Sequence, residues 1–252
     1  MRTVETPKYI HREETHNMRS PRLIAADIFE LFSPHSVIDI GCGIGTFLKA
    51  FEELGVTDIL GIDGDWVDRG KLMVAEKFFR VEDLERSFDL GRRFDLVISV
   101  EVAEHLDEGW AENFVETLCS AGDVIVFSAA LPGQGGVNHV NEQPFAYWQE
   151  RFERRAYRFY DLFRPRYWED ESIDWWYRQN MFLVAADGVE LPEAVTRTRV
   201  DGQVHSYIHP ELYRGSVMKI EALERRSAEM KSLGGLAKAG ARTLKRRLSG
   251  DK

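Results

Sequence analysis

The chain has 252 residues, 44% of them hydrophobic, and a formal net charge of −9. That length supports one full α/β domain with a substantial core plus a short extension, and no apolar run approaches the roughly 20 residues that span a bilayer. The acidic balance argues against an extended nucleic-acid groove, which needs positive charge to displace counterions.

Met1 to Asn17 is polar and charged, unlike the apolar core of a secretory signal. The two cysteines, Cys42 and Cys119, make neither a CxxC pair nor a disulfide framework, so the expected compartment is a reducing cytoplasm. Charge is unevenly spread: Lys219 to Lys252 holds ten Lys/Arg against four Asp/Glu.

Ser20-Pro21 ahead of Leu23, Ile24, Ile28 and Leu31 predicts a helix with Ser20 as N-cap and Pro21 at the first helical position. Val37 to Ile40 reads as a strand stopped by Gly41, and Phe47 to Leu54 as a helix closed by Gly55. Further expected elements are a strand over Ile59–Ile62, a helix over Lys71–Lys77 and a short strand over Phe78–Val81. A strand over Phe94–Val100, a helix over Glu108–Ser120 and a strand over Asp123–Ser128 follow. Strands alternating with helices imply a parallel sheet with right-handed crossovers and both faces buried. After a Gly-, Asn- and Pro-rich loop over Leu131–Pro144, a helix is expected over Phe145–Ala156 and two last strands over Tyr157–Phe163 and Gln179–Ala185. These boundaries divide the chain into an N-terminal segment (1–19), one α/β domain (20–187) and a C-terminal extension (188–252).

Ile38-Asp39-Ile40-Gly41-Cys42-Gly43-Ile44-Gly45 places three glycines at alternate positions between a strand and a helix. Glycine permits the positive φ of a tight turn and lets a ligand approach the backbone. Asp63 closes the next strand, where a carboxylate accepts both hydroxyls of a ribose. A dinucleotide site shares this logic but uses GxGxxG to bring a helix N-terminus to a pyrophosphate. Here the spacing is GxGxG with Thr46 next in line, and Asp39 beside the turn suits an ammonium.

This stretch resembles motif I of class I S-adenosylmethionine (SAM)-dependent methyltransferases. The resemblance continues through Gly61-Ile62-Asp63-Gly64-Asp65-Trp66, Glu82-Asp83-Leu84 and Phe94 to His105. It implies a Rossmann-like fold with a seven-stranded, mostly parallel sheet, and SAM as cofactor. By the same resemblance Gly41, Cys42 and Gly43 line the methionine end, with Asp39 beside them. Asp63 holds the ribose, Asp83 and Leu84 read the adenine, and Trp66 packs on its face.

Glu101-Val102-Ala103-Glu104-His105 follows the fourth strand. On a helical turn, positions 101, 104 and 105 share a face. The loop after the fifth strand carries His139, and loops following neighbouring parallel strands emerge at one sheet edge. The set Glu101, Glu104, His105 and His139 is similar to the metal site of small-RNA 2′-O-methyltransferases and ubiquinone-pathway O-methyltransferases. That similarity implies a divalent ion, Mg²⁺, Mn²⁺ or similar, gripping two adjacent hydroxyls and lowering their pKa. Other readings of the same residues are Glu104 as a helix-dipole partner, Glu101 as a cofactor contact, and His139 as a metal-free general base.

Fourteen of the 29 aromatic residues fall between Phe145 and Phe182; most are expected in the core, and the remainder suit a sugar or planar substrate. Asn138, Asn141, Glu142 and Gln143 offer hydrogen bonds to a hydroxyl-rich ligand, and Arg164 and Arg166 are read as solvated arginines first and as candidates for a phosphate or carboxylate second. In the tail, Val217–Met230 reads as a helix interrupted at Gly234-Gly235, followed by Leu236, Gly240, Leu244 and Leu248 among basic residues. A basic amphipathic helix of this kind docks on an anionic membrane or a protein partner, or is a solvated terminus. The reading is a SAM-dependent O-methyltransferase, metal-assisted, acting on a small vicinal-hydroxyl substrate such as a sugar, glycan or natural-product precursor. Its catalytic residues would be His139 and Glu101. The alternatives are a metal-independent O- or N-methyltransferase and a non-catalytic SAM-binding scaffold.

Overall fold

Near-continuous apolar runs make the strands of a single sheet ordered β3-β2-β1-β4-β5-β7-β6. The computed structural model describes the backbone of residues 17–248 and the side chains of residues 17–228, 230 and 231. Strands β1 (Ser36–Ile40), β2 (Asp58–Asp63), β3 (Phe79–Val81), β4 (Leu96–Val100) and β5 (Val124–Ser128) are parallel. Strand β7 (Phe182–Ala186) runs antiparallel to β5 and to β6 (Tyr157–Tyr160). The seven-stranded, mostly parallel sheet expected from the sequence is therefore present.

Helices cover both faces. Helices α1 (Arg19–Phe32) and α2 (Thr46–Glu53) place Ile24, Ile28, Phe47 and Phe51 on one face. Helices α3 (Ala111–Ala121) and α4 (Phe145–Glu153) place Phe114, Leu118, Trp148 and Phe152 on the other. Nine of the fourteen aromatics between Phe145 and Phe182 are buried, so that stretch is chiefly packing.

The structure corrects several expectations. Ser20 lies inside the first turn of α1; its hydroxyl donates to Asp174 Oδ2 at 2.6 Å and accepts the Asp174 amide at 2.9 Å. Residues 71–77 form no α-helix but two 3₁₀ turns, Arg69–Lys71 and Glu76–Phe78. Between them the Met73 amide bonds to the Ile44 carbonyl at 2.9 Å, so the segment is tied to the glycine turn rather than to itself. The strand expected over Tyr157–Phe163 ends at Tyr160, and α5 (Phe163–Tyr167) follows. Gln179 and Asn180 end a helix, α6 (Trp175–Asn180), and do not begin β7.

The chain divides into units 1–207 and 208–252. The first unit extends past the boundary expected at residue 187. After α7 (Glu193–Thr196), the Asp161 amide donates to Thr198 O at 2.8 Å, and the Val200 amide to Phe159 O at 2.9 Å. The Val204 amide donates to Gln149 Oε1 at 2.7 Å. The second unit contains α8 (Pro210–Leu248), continuous through Gly234 and Gly235. Two interior glycines cost about 1 kcal/mol each relative to alanine and weaken a helix without breaking it. The amphipathic pattern proposed for residues 236–248 lies outside the described side chains, and the N-terminal segment up to residue 16 lies outside the described residues. No described helix is long and apolar enough to cross a membrane.

Candidate active site

Strand order reverses between β1 and β4, and the crevice at their carboxyl ends is where open α/β sheets bind ligands. The turn from β1 to α2 has positive φ at Gly41 (88°), Gly43 (53°) and Gly45 (83°). Gly41 is required on steric grounds too: a Cβ there would fall 2.5 Å from a Val102 methyl. The backbone of the turn is anchored to β2 by Gly41 N–H and Cys42 N–H, which donate to Ile62 O at 2.8 and 3.1 Å.

Two buried carboxylates stand at this turn. Asp63 accepts the amides of Gly43 and Gly64, each at 2.7 Å, and burial raises it to about 6 against those two bonds. Asp39 is 3% exposed, and burial followed by the charge of Asp63 pushes it well above the usual carboxylate range. No hydrogen bond to the Asp39 carboxylate occurs among the described residues. A cationic ligand would offset both penalties, so the pair fits SAM with its ammonium towards Asp39.

The other expected cofactor residues are placed as follows. The Trp66 ring lies over Gly64, where a Cβ would strike it. Leu84 is buried, whereas Asp83 is half-exposed, accepts the Glu85 amide at 3.1 Å and pairs with Arg86 at 3.2 Å. The Cys42 thiol packs towards Gly61, and burial pushes its pKa well up. Arg164 and Arg166 pair with Asp161 and Asp27 rather than lining a ligand site.

Beyond β4, Glu101 has φ +54°. Its Oε1 accepts from Ser128 Oγ at 2.9 Å and Asn180 Nδ2 at 3.0 Å, and its Oε2 from Gln134 Nε2 at 3.0 Å. Burial raises Glu101 to about 7, opposed by those bonds. Glu104 is different. It is fully buried, and among the described residues neither carboxylate oxygen has a hydrogen-bond partner. Burial, then the charge of Glu101, pushes it well above the usual range. The amides of Glu104 and Ala130 approach closely enough to offset part of this, without the geometry of a hydrogen bond.

The Glu104 carbonyl accepts the amides of Val140 and Asn141 at 2.9 and 3.0 Å, which draws the loop after β5 across the turn after β4. The His139 ring thereby meets His105 edge-to-face, with centroids 4.8 Å apart. One donor atom each from Glu104, His105 and His139 lie within 4.8 Å of one another. Glu101 stands beside this group, with its carboxylate held by Ser128, Gln134 and Asn180.

His105 Nδ1 lies 3.3 Å from Asn138 O, and His139 Nδ1 lies 2.8 Å from Glu142 Oε1. Burial, and then the neighbouring His139, lowers His105 to about 4, so it is neutral near pH 7. Imidazoles with Nδ1 hydrogen-bonded to protein oxygens are usual among histidine metal ligands. An unpartnered buried carboxylate beside them completes a donor set that fits a divalent ion. Sequence reasoning missed Ser128 and Asn180, which reach Glu101 only through the fold. It placed Gln134 and Glu142 in the loop without finding what they bind.

A family model described as a methyltransferase domain matches residues 10–182. A ubiquinone biosynthesis O-methyltransferase from Methylobacterium nodulans is 34% identical over 95 residues, a match covering 34% of this chain and 36% of that protein. Among solved structures, Streptomyces venezuelae DesVI is similar at 16% identity and a TM-score of 0.49, covering 67% of this chain and 92% of that one. The methyltransferase domain of bacterial CtHen1 is similar at 19% identity and a TM-score of 0.49, covering 68% and 99%. With the family model spanning most of the chain and the sheet order above, this protein belongs to the methyltransferase domain family and is a class I SAM-dependent methyltransferase.

Proposed function

We propose that the protein is an O-methyltransferase that acts, with a divalent ion, on a small substrate bearing vicinal hydroxyls, such as a sugar or a natural-product precursor. The observation that carries this reading is the convergence of Glu104, His105 and His139, with both Glu104 oxygens buried and unpartnered. The matched segment of the ubiquinone-pathway O-methyltransferase supports oxygen as the acceptor atom.

In this reading Asp39 faces the SAM ammonium, Gly41, Cys42 and Gly43 line the methionine end, and Asp63 takes the ribose. Trp66 and Leu84 pack at the adenine, with Asp83 at the rim. SAM supplies an electrophilic methyl: the acceptor hydroxyl gives up its proton to solvent and its oxygen forms the C–O bond as the C–S bond breaks, leaving S-adenosylhomocysteine. Glu104, His105 and His139 would hold the ion, whose charge lowers the pKa of the hydroxyls it binds. Glu101 holds Gln134 and Asn180 beside the same group.

The experiment is calorimetric titration of Mn²⁺ into chelator-treated protein saturated with S-adenosylhomocysteine, paired with turnover on a panel of vicinal-diol and single-hydroxyl sugars. One bound ion and turnover restored by Mn²⁺ support the reading. Full turnover after chelation overturns it. A second reading rests on the 2.8 Å contact between His139 and Glu142, which suits His139 as a metal-free base taking the hydroxyl proton.

A further inference from the structure

Glu142 is the hub of the loop that carries His139. Its Oε2 accepts the Gly133 amide at 2.7 Å, and its Oε1 accepts the Gly135 amide at 2.7 Å and lies 2.8 Å from His139 Nδ1. Gly133 and Gly135 have φ of +86° and +70°, and both of their amides donate to this one carboxylate. The Glu142 and His139 side chains are only 19% and 12% exposed.

Backbone amides are donors at any pH, so a carboxylate gripped by two of them serves as an acceptor. Facing an acceptor, His139 Nδ1 must carry the hydrogen. A different residue packs against the ring itself: a Cβ on Gly136 would land on the face of the His139 ring at Nε2. Gly136 does not have a positive φ, so this is a steric requirement and not a backbone one.

We propose that Glu142 is a positioning residue that fixes His139 as the Nδ1–H tautomer and so leaves the lone pair on Nε2. The inference rests on the reading that His139 acts in this site. Both roles open to His139, ion ligand and base, use that lone pair, and neither works from the Nε2–H form. Because the same carboxylate ties down Gly133 and Gly135, one group sets where the ring sits and which nitrogen is bare.

The first test needs no substitution. In ¹⁵N-histidine-labelled protein freed of metal, His139 should show a protonated Nδ1 and an unprotonated Nε2 at pH 7.5. Glu142→Gln offers one acceptor oxygen to three donors, so part of the population should pass to Nε2–H and Mn²⁺ affinity should fall at least about tenfold. An Nε2–H signal in the wild type overturns the proposal, as does a Glu142→Gln protein with unchanged tautomer and unchanged affinity. Wild-type protein that binds no Mn²⁺ but shows the Nδ1–H form, lost in Glu142→Gln, sinks the ion reading and leaves the positioning role standing.

Discussion

Gly41 at the end of β1 and Val102 just past β4 touch so closely that a Cβ on Gly41 would sit 2.5 Å from a Val102 methyl. The contact locks the cofactor turn to the segment that begins the candidate ion site. Gly41→Ala meets two penalties, this overlap and a φ of +88°, and should destabilise the fold by about 2–4 kcal/mol. Adding Val102→Ala removes the overlap and leaves the backbone strain. Urea midpoints should therefore show partial recovery in the double variant; full additivity of two losses would mean that the overlap is not the cause.

Much of this architecture is legible in the sequence, for a physical reason. Buried parallel strands need apolar residues on both faces, so Val37–Ile40 and Asp123–Ser128 announce themselves without periodicity. The glycine turn and Asp63 are equally legible, because a positive φ and a close backbone approach leave few residue choices. What stayed hidden depends on partners far along the chain. Glu101 is marked as a candidate ion ligand by spacing, but the partner of its Oε1, Asn180, lies 79 positions away and is found only through the fold. Residues 71–77 have helical composition, yet Met73 spends its amide on Ile44, and only the fold brings those two together.

Glu104 should show a conflict between stability and function. A buried oxygen without a partner costs about 1–3 kcal/mol, so Glu104→Met, apolar and similar in shape, should raise the stability of the metal-free protein. The same substitution should abolish Mn²⁺ binding. Thermal melts with and without Mn²⁺ separate the two effects. A variant that Mn²⁺ still stabilises as much as the wild type would show that Glu104 is not a ligand.

Asp63 should make cofactor binding pH-dependent. Its carboxyl is raised to about 6, and only the ionised form attracts a cation and accepts both ribose hydroxyls. Protons therefore compete with SAM as pH falls through about 6, and affinity measured by calorimetry should decline from pH 7 to pH 5. In Asp63→Asn the affinity should already be about tenfold or more weaker at pH 7, because a charged acceptor contributes about 1.5–3 kcal/mol. The component of the pH slope belonging to Asp63 should vanish. An unchanged slope in that variant would assign the dependence to another group, with Asp39 the first to examine.

His105 should leave an opposite mark on the stability of the metal-free protein. Its folded pKa, lowered to about 4, lies below the 6.5 of an unperturbed histidine. Between those values the unfolded chain takes up a proton that the folded chain refuses. The contribution is complete above pH 6.5 and is lost as pH falls towards 4, on the order of 3 kcal/mol for a shift of that size. Asp63 works the other way, since its raised folded pKa favours the native state at low pH, so a single melt series would mix the two. The difference between wild type and His105→Gln isolates the histidine: it should change steadily between pH 6.5 and pH 4 and be flat above. Saturating Mn²⁺ at pH 7.5 should then stabilise the wild type and not the variant, because the ion binds only the folded donor set. A His105→Gln protein stabilised by Mn²⁺ as much as the wild type would remove His105 from that set and leave the ion, if bound, to Glu104 and His139.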